Sequence, residues 1–330
     1  MAGYIVRRLF SALLVVILTS MFVFALFFLG QTNVAANYCT NNGHCTAQKQ
    51  AQITHELGLD QSVFSAYGVW AKGIFVGRKI QMGATYNCPA PCLGISYRTQ
   101  QSITDILKTY FPPTLSIAIV GGFLYLGIGL VLGSLAARWR ATVADKSLVT
   151  SSLLVSSIPY YLVVLLAYIY LYLVWGIFPQ PGYTSPFQSP GAWVSGMLLA
   201  WLILGVTGST NYARYSRGFM IDSLGEDYVR TATAKGVSRN KTIFKHALRV
   251  AVVPVITLFG IDFAYLLSGT VFTEWILGIN GIGWYSLYSI QQQDFPVIQA
   301  TVLVGAVFIV IANLLVDLLY SVLDPRVRLA

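Results

Sequence analysis

Long apolar runs separated by short polar stretches dominate the pattern of this chain. Six of these runs reach the roughly 20 residues that an α-helix needs to cross a bilayer, namely 9–30, 114–136, 148–176, 192–209, 250–272 and 296–320. The first run exceeds the roughly 7–15 residues of a signal-peptide apolar region, so we expect it to be a retained helix. The pattern predicts an all-α integral membrane protein with six transmembrane helices.

Composition and charge agree with this class and add an orientation. Of the 330 residues, 56% are hydrophobic and 10% are charged, whereas soluble domains carry about 25% charged residues. If the N-terminus lies inside, the inside segments hold 15 of the 21 Lys and Arg residues, and the positive-inside rule then places both termini in the cytoplasm. The net charge of +9 is therefore a topology signal and does not predict nucleic-acid binding.

The segment between the first two predicted spans, residues 31–112, is too long for a simple connector. Apolar spacing predicts helices over 55–75 and 99–111, the second ended by Pro112 and Pro113. We expect a small extracellular subdomain at 31–112, preceded by an N-terminal tail and first helix at 1–30 and followed by a membrane core at 113–330. The subdomain is open to two interpretations, contact with an outside partner and a structural cap.

All the cysteines fall in this predicted extracellular subdomain: Cys39, Cys45, Cys88 and Cys92. An outside compartment permits disulfides, and the short spacings favour Cys39–Cys45 and Cys88–Cys92, although four cysteines allow three pairings. His44 beside Cys45 leaves a zinc site as an alternative. The chain has no G-x-x-x-x-G-K-[ST] motif and no intramembrane cluster of His, Cys and carboxylates, so we expect neither a cofactor nor a metal in this chain.

The most charged run lies between the fourth and fifth spans, and we call residues 222–250 the basic segment. Ser223 and Glu226 have capping-box spacing, Gly236 is the residue type expected after a helix end, and Ser238 begins a second predicted helix over 239–250. The basic segment therefore predicts helix, glycine hinge and helix on the cytoplasmic face. Two interpretations stay open, a rigid element that docks into another protein and a solvated basic loop steadied by anionic lipid.

Candidate functional residues elsewhere are sparse. Asp262 is predicted near the centre of the fifth span, and an ionisable residue there is a functional candidate by default; it either meets a charged substrate group or bonds a neighbouring helix. Tyr161, deep in the third span, is a candidate lining residue of a pathway. Glu274 and Asp294 flank the last predicted outside loop, where they are candidates for contact with an outside partner.

Several motifs in order resemble one family. DYVRTATAKG (227–236) followed by HALR (246–249) resembles the conserved cytoplasmic loop of ABC importer permeases, in its peptide-transporter version. Further similar motifs are PPTLSIAI (112–119), SIPYYL (157–162), GIGWYSLYSIQQQDFPVIQA (281–300) and NLLVDLLYSVLDPRVR (313–328). The best fit is the first permease of a dipeptide, oligopeptide or nickel-type importer. The chain departs from the subgroup in its cysteines and in Asn280-Gly281, where a Pro-Gly pair is usual.

This resemblance implies the type I ABC importer permease fold in a bacterial inner membrane. The implied partners are a second homologous permease, two ABC ATPases that bind ATP and Mg, an extracellular or lipid-anchored solute-binding protein, and a peptide substrate. The residues implied in ATPase coupling are Asp227, Tyr228, Arg230, Thr231, Ala232, Lys235 and Gly236. Asp262 and Tyr161 then belong to the translocation pathway, and Glu274 and Asp294 to the binding-protein contact. The alternatives are nickel, heme or another small solute as cargo, an ion-coupled secondary transporter, and a scaffold.

Overall fold

The computed structural model describes residues 2–30, 46–56, 60–82, 84–268 and 270–323. The elements in its first third are α1 (Ala2–Gly30), α2 (Ala47–Glu56), α3 (Val63–Val76), β1 (Arg78–Met82) and β2 (Ala84–Cys88). They are followed by α4 (Ile103–Ser116), α5 (Gly122–Arg138), α6 (Val143–Ser157), α7 (Tyr160–Ala167), α8 (Pro190–Gly225), α9 (Asp227–Ala234), α10 (Arg239–Lys241), α11 (Leu248–Ser268), α12 (Val271–Leu277), α13 (Ile282–Gln291) and α14 (Phe295–Leu323). Short π-helical stretches lie at Ile117–Gly121, Tyr168–Val174 and Thr242–Ala247.

The described residues confirm a multi-pass helical protein. Five helical stretches are long and apolar enough to cross a membrane, and a bent pair makes up to six. The five are Val6–Gly30, Ile103–Arg138, Pro190–Gly225, Arg239–Leu267 and Phe295–Leu315. Many apolar side chains on α1 are exposed, as Phe22 is at 67% and Leu29 at 68%, which is the surface expected of a helix that faces lipid.

The third predicted span is broken rather than continuous. Its two halves, Val143–Ser157 and Tyr160–Val174, meet at 91°. Pro159 lacks an amide hydrogen and disfavours a helical conformation at the residue before it, and Ile158 is accordingly extended, with φ −81° and ψ 129°. A single helix over 148–176 is therefore wrong, and the polypeptide turns sharply inside this apolar run.

The predicted helix stop at Pro112 and Pro113 is also wrong. Helix α4 passes through both prolines, and the π-helical stretch Ile117–Gly121 joins it to α5. Each proline removes the amide that would bond the carbonyl four residues earlier, but the helical hydrogen bonds resume beyond them, since the Ile117 amide donates to the Pro113 and Thr114 carbonyls. The expected boundary between residues 112 and 113 thus lies inside one continuous helical stretch.

Helices α5 and α8 pack at very short range. Gly129 and Gly133 are spaced one turn apart on α5, and small residues at this spacing let membrane helices approach closely. A Cβ at Gly129 would lie 2.3 Å from the Tyr212 Cβ, and one at Gly133 would lie 2.5 Å from the Ala213 carbonyl oxygen. No side chain fits at these positions without a shift of α8, so this pair of helices behaves as one body.

An ion pair ties α6 to α8. The Arg217 side chain binds the Asp145 carboxylate through two nitrogens, with Nη2 2.7 Å from Oδ2. The Ala141 amide donates to the same carboxylate at 3.0 Å, and the Asp145 side chain is only 3% exposed. Paired, hydrogen-bonded charges of this kind fix geometry, here between the first half of the bent span and the α5–α8 pair.

Residues 60–102 pack against α1 and the start of α14. Trp70 on α3 is buried with Phe24 of α1 and Leu303 of α14, and its Nε1 donates to the Leu93 carbonyl at 3.4 Å. Strands β1 and β2 form an antiparallel hairpin in which Arg78 pairs with Cys88. The predicted helix within 55–75 is present as α3, whereas this short hairpin was not predicted.

Candidate functional site

The first half of the basic segment presents its predicted residues to the outside of the chain. Helix α9 and the turn after it expose Asp227, Tyr228, Arg230, Thr231, Lys235 and Gly236, and Ala232 is half-buried. An exposed ion pair of 3.6 Å joins Arg230 to Asp227. The surface is strongly cationic, because Arg239, Lys241 and Lys245 follow within ten residues of Lys235.

This exposed surface stands on a buried apolar base. Val229 of α9 is 4% exposed and packs in one cluster with Ile243 and Ala247 of the basic segment and with Met220 of α8. The cluster also includes Ala137 at the end of α5. Since α5, α8 and both arms of the basic segment share one core, the exposed face and the helices beneath it are packed together.

A polar contact strengthens the same attachment. Arg239 Nη2 donates to the Arg138 carbonyl oxygen at 2.9 Å, which caps the carboxyl end of α5. Basic side chains at a helix C-terminus are favoured by the helix dipole. The second arm of the basic segment is therefore anchored to α5 as well as to the buried cluster.

The turn between the arms depends on Gly236. Its φ is +79°, a conformation that glycine adopts freely and β-branched residues strongly avoid. The Gly236 amide donates to the Thr233 carbonyl at 3.0 Å, and the Val237 amide donates to the Ala232 carbonyl at 3.2 Å. The predicted helix end at Gly236 is confirmed, with α9 finishing at Ala234 and Lys235 as its C-cap.

Two details of the predicted basic segment are wrong. Ser223 is not an N-cap, because α8 continues to Gly225 and the N-cap of α9 is Glu226, which makes no side-chain capping bond. The second arm is not a separate helix over 239–250, because the helical stretch that begins at Arg239 runs on to Ser268. The arm is therefore the first part of a membrane-spanning helix, which connects the exposed surface directly to the bundle.

Asp262 lies in the last two turns of α11, since this helix ends at Ser268, and not near the centre of a span as predicted. The sequence-based span was set by the apolar run 250–272, which continues past the end of the helix. The Asp262 side chain is exposed in this chain, and its Oδ2 accepts a hydrogen bond of 2.7 Å from the Tyr212 hydroxyl on α8. The other carboxylate oxygen remains able to accept a further donor.

An open cavity of about 680 Å³ lies where the bent span turns. Its walls include Pro159, Tyr160 and Asn211. Tyr161 does not line this cavity; it is 49% exposed, and its ring lies 6.0 Å from that of Phe272, which does. Sequence reasoning missed Tyr160 and Asn211, although a lone Asn in an apolar helix is a usable signal because such residues face a cavity or a helix contact.

Glu274 is fully buried and cannot touch a partner, so its predicted role in an outside contact is wrong for this arrangement of the chain. Its carboxylate accepts hydrogen bonds from the Thr114 hydroxyl at 2.8 Å, the Thr270 hydroxyl at 3.0 Å and the Trp284 amide at 2.8 Å. Burial raises the pKa of the Glu274 carboxyl, because desolvation disfavours its charged form. A Cβ at Gly281 would lie 2.4 Å from Glu274 Oε2, so a larger residue is excluded there.

Asp294 is likewise internal, at 3% exposure, and its predicted outside contact is corrected in the same way. It accepts hydrogen bonds from the Ser96 hydroxyl and, at 3.0 Å, from the Tyr97 amide. Burial raises the pKa of the Asp294 carboxyl too. Both acids therefore join distant parts of the chain, because Thr114 precedes Glu274 by 160 residues and Ser96 precedes Asp294 by 198.

Cys88 and Cys92 form a disulfide in the structure. The other predicted pair, Cys39 and Cys45, lies outside the described residues, as does His44. Within the described ranges, no group of three or more His, Cys, Asp or Glu side chains is placed to hold a metal ion.

Comparison with known proteins identifies the family. Residues 129–329 match the binding-protein-dependent transport system inner membrane component, and residues 1–118 match the N-terminal region of such membrane components. A probable peptide ABC transporter permease protein of Sinorhizobium fredii is 34% identical over 99% of this chain and 100% of its own length.

Two further relatives agree. The dipeptide transport system permease protein DppB of Haemophilus influenzae is 36% identical over 71% of this chain and 76% of its own length. The oligopeptide transport system permease protein OppB of Mycobacterium bovis is 30% identical over the full length of both chains.

The chain belongs to the family of binding-protein-dependent transport system inner membrane components. It has the type I importer permease fold of this family, so the resemblance drawn from the motifs is confirmed. It is a multi-pass transport subunit and not an enzyme, and this membership decides against the secondary-transporter and scaffold alternatives.

Proposed function

We propose that this chain forms half of the translocation pathway for dipeptides and oligopeptides in an ATP-driven importer. Its relatives named above are peptide, dipeptide and oligopeptide permeases, which favours peptide cargo over nickel, heme or another small solute. The observation that carries the proposal is the basic segment, a cationic surface turned at Gly236 and seated on a buried base. A surface built in this way suits transmission of force from a partner protein.

The proposed assembly follows from the family and the orientation. A second homologous permease completes the pathway, and two ABC ATPases bind ATP and Mg and receive the basic segments of the two permeases. An extracellular or lipid-anchored solute-binding protein delivers the peptide. Both termini and the basic segment lie in the cytoplasm, because 15 of the 21 basic residues fall on that side.

Force from an ATPase reaches the pathway in two steps. The buried cluster around Val229 joins α9 to α8 and α5, and the close contacts at Gly129 and Gly133 make those two helices move together. Tyr212 of α8 then bonds Asp262 of α11. Movement of the basic segment therefore shifts Asp262 and its neighbours as parts of rigid bodies, which is how alternating access operates.

Asp262 and the bent span supply the proposed substrate contacts. The exposed Asp262 carboxylate is placed to pair with the amino terminus of a peptide while it keeps the Tyr212 bond. Tyr161 is exposed and contacts Phe272, which lines the large cavity. In the proposed assembly the second permease closes this side of the cavity, and Tyr161 then contacts the cargo.

The test is ATP hydrolysis by the assembled complex. The chain is tagged, co-expressed with the products of neighbouring genes, purified in mild detergent, and assayed with and without a peptide-loaded binding protein. We expect an ATPase to co-purify and its activity to rise when loaded binding protein is added. A chain that purifies with neither a second permease nor an ATPase, or an ATPase that does not respond to peptide, contradicts the proposal.

A further inference from the structure

A second cavity, of about 260 Å³, lies between α1, α3, the β-hairpin and the start of α14. It is separate from the basic segment and from the cavity at the bent span. Phe24 and Phe28 of α1 and Trp70 of α3 form its apolar wall, and Arg78, Lys79 and Gln299 supply polar groups. No Asp or Glu is among the described residues that line it.

Arg78 is a cation without a described counter-ion. Its Nε is buried and has no hydrogen-bond partner, and no ion pair links its side chain to an acid in the described part of the chain. The aliphatic stem lies against Gly73 of α3, where an added Cβ would be 2.8 Å from Arg78 Cδ. Desolvation lowers the pKa of Arg78, because burial disfavours the charged form of the side chain.

Gln299 on α14 is a second buried donor among the residues that line the cavity. Its side chain is 8% exposed, and its Nε2 is buried without a hydrogen-bond partner. A buried amide that finds no acceptor costs free energy comparable to a lost hydrogen bond. The lining residues of the cavity thus include two unsatisfied donors, one of them positively charged, and an anion with several acceptor oxygens is the kind of ligand that suits both.

The position of the cavity identifies the source of this anion. Phe24 and Phe28 lie in the last two turns of α1, and Gln299 lies in the first two turns of α14, so the cavity sits where two membrane-spanning stretches end and begin. Beside it, Phe22, Leu26 and Leu29 of α1 are 67%, 52% and 68% exposed. We propose that the cavity binds the phosphate of an anionic phospholipid, whose acyl chains lie along the exposed face of α1.

The test counts lipids retained by the purified complex. The full chain, with whatever subunits co-purify, is placed in nanodiscs of equal phosphatidylglycerol and phosphatidylcholine, released, and examined by native mass spectrometry during stepwise lipid removal. We expect wild type to keep a phosphatidylglycerol molecule after the remaining lipid is lost. Arg78→Gln should weaken this retention about tenfold or more, because a charge-assisted hydrogen bond is removed.

Lys72→Gln is the matched control. Lys72 lies on α3, is exposed and does not line the cavity, so this variant removes one positive charge nearby and should retain lipid as wild type does. The wild-type preference for phosphatidylglycerol over phosphatidylcholine is measured independently, so the proposal stays testable even when Arg78→Gln folds poorly.

Three results would overturn the proposal. The first is equal retention of the two lipids by wild type, and the second is unchanged retention by Arg78→Gln. The third is loss of the bound lipid to millimolar inorganic phosphate or to a peptide with a free carboxyl terminus, which would identify a site for small anions or for cargo. Retention that survives both competitors and depends on Arg78 supports the lipid site.

Discussion

The Tyr212 hydroxyl and the Asp262 carboxylate are joined by a hydrogen bond of 2.7 Å between α8 and α11. This bond leaves one carboxylate oxygen open on the exposed side of α11. Asp262 therefore has both a structural neighbour and the capacity to bind a further donor, and these two roles respond differently to substitution.

Asp262→Asn should separate the roles, because the amide oxygen still accepts the Tyr212 bond while the charge is lost. If Asp262 pairs with the amino terminus of cargo, uptake of peptides with a free amino terminus should fall about tenfold, the effect of one lost charge-assisted bond. Uptake of N-acetylated peptides should change little. Transport is measured in proteoliposomes with both peptide classes.

Tyr212→Phe is the companion variant. It removes the hydroxyl and leaves the charge, so it should affect both peptide classes equally. Equal losses for the two classes in Asp262→Asn would instead assign Asp262 a structural role alone.

The approach of α5 to α8 gives a second prediction. Gly133→Ala places a Cβ 2.5 Å from the Ala213 carbonyl oxygen, and because backbone must move, we expect a loss of about 1–3 kcal/mol in stability. Gly127→Ala on the same helix meets no atom within 4 Å and should be neutral or slightly stabilising, since alanine favours helix. Thermal unfolding in detergent compares the two. Similar midpoints for both variants would contradict the close packing.

A third prediction concerns Glu274 and pH. Burial raises the folded-state pKa of this carboxyl above its ordinary value near 4.5, so between the two values the folded protein binds more protons than the unfolded chain. The contribution of Glu274 to stability is then full at low pH and decreases as pH rises through this window. Glu274→Gln, which can still accept from the Trp284 amide and donate to Thr270, should remove this contribution.

The measurement is the unfolding midpoint at pH 5 and at pH 8. The midpoint of wild type should fall relative to that of Glu274→Gln as the pH rises. Glu226→Gln provides the control for the loss of one carboxylate, because Glu226 is exposed and takes no part in the hydrogen bonds of Glu274. Parallel pH dependence in wild type and Glu274→Gln would show that the buried carboxyl does not titrate in this range.

The sequence was informative where a local signal decides structure. Spanning helices follow from apolar length alone, and the Gly236 turn follows from one residue type at a helix end. The third run contains Pro159, but its 91° bend was not predicted, because prolines also occur in continuous helices, as Pro112 and Pro113 do here.

Contacts between residues that lie far apart in the chain could not be predicted from the sequence. Glu274 and Asp294 were assigned to an outside contact because both flank a predicted loop. Both acids are held by hydrogen bonds that include distant donors, Thr114 at 160 residues from Glu274 and Ser96 at 198 residues from Asp294, and only the folded arrangement brings these residues together. The cavity around Arg78 could not be predicted for the same reason, since its lining residues come from α1, α3, β1 and α14.

A substitution at Gly236 tests the proposed coupling most directly. Its φ of +79° penalises a β-branched side chain, yet no atom lies within 4 Å of an added Cβ. Valine should therefore distort the turn without disturbing the packing beneath it. Asparagine tolerates the left-handed conformation far better and serves as the matched control.

The most direct measurement is the ATPase activity of complexes that carry wild type, Gly236→Val or Gly236→Asn, with and without peptide-loaded binding protein. We predict that Gly236→Val assembles but loses most of its stimulation, while Gly236→Asn keeps most of it. Full stimulation and uptake in Gly236→Val would contradict the central claim that the basic segment couples the ATPases to this chain.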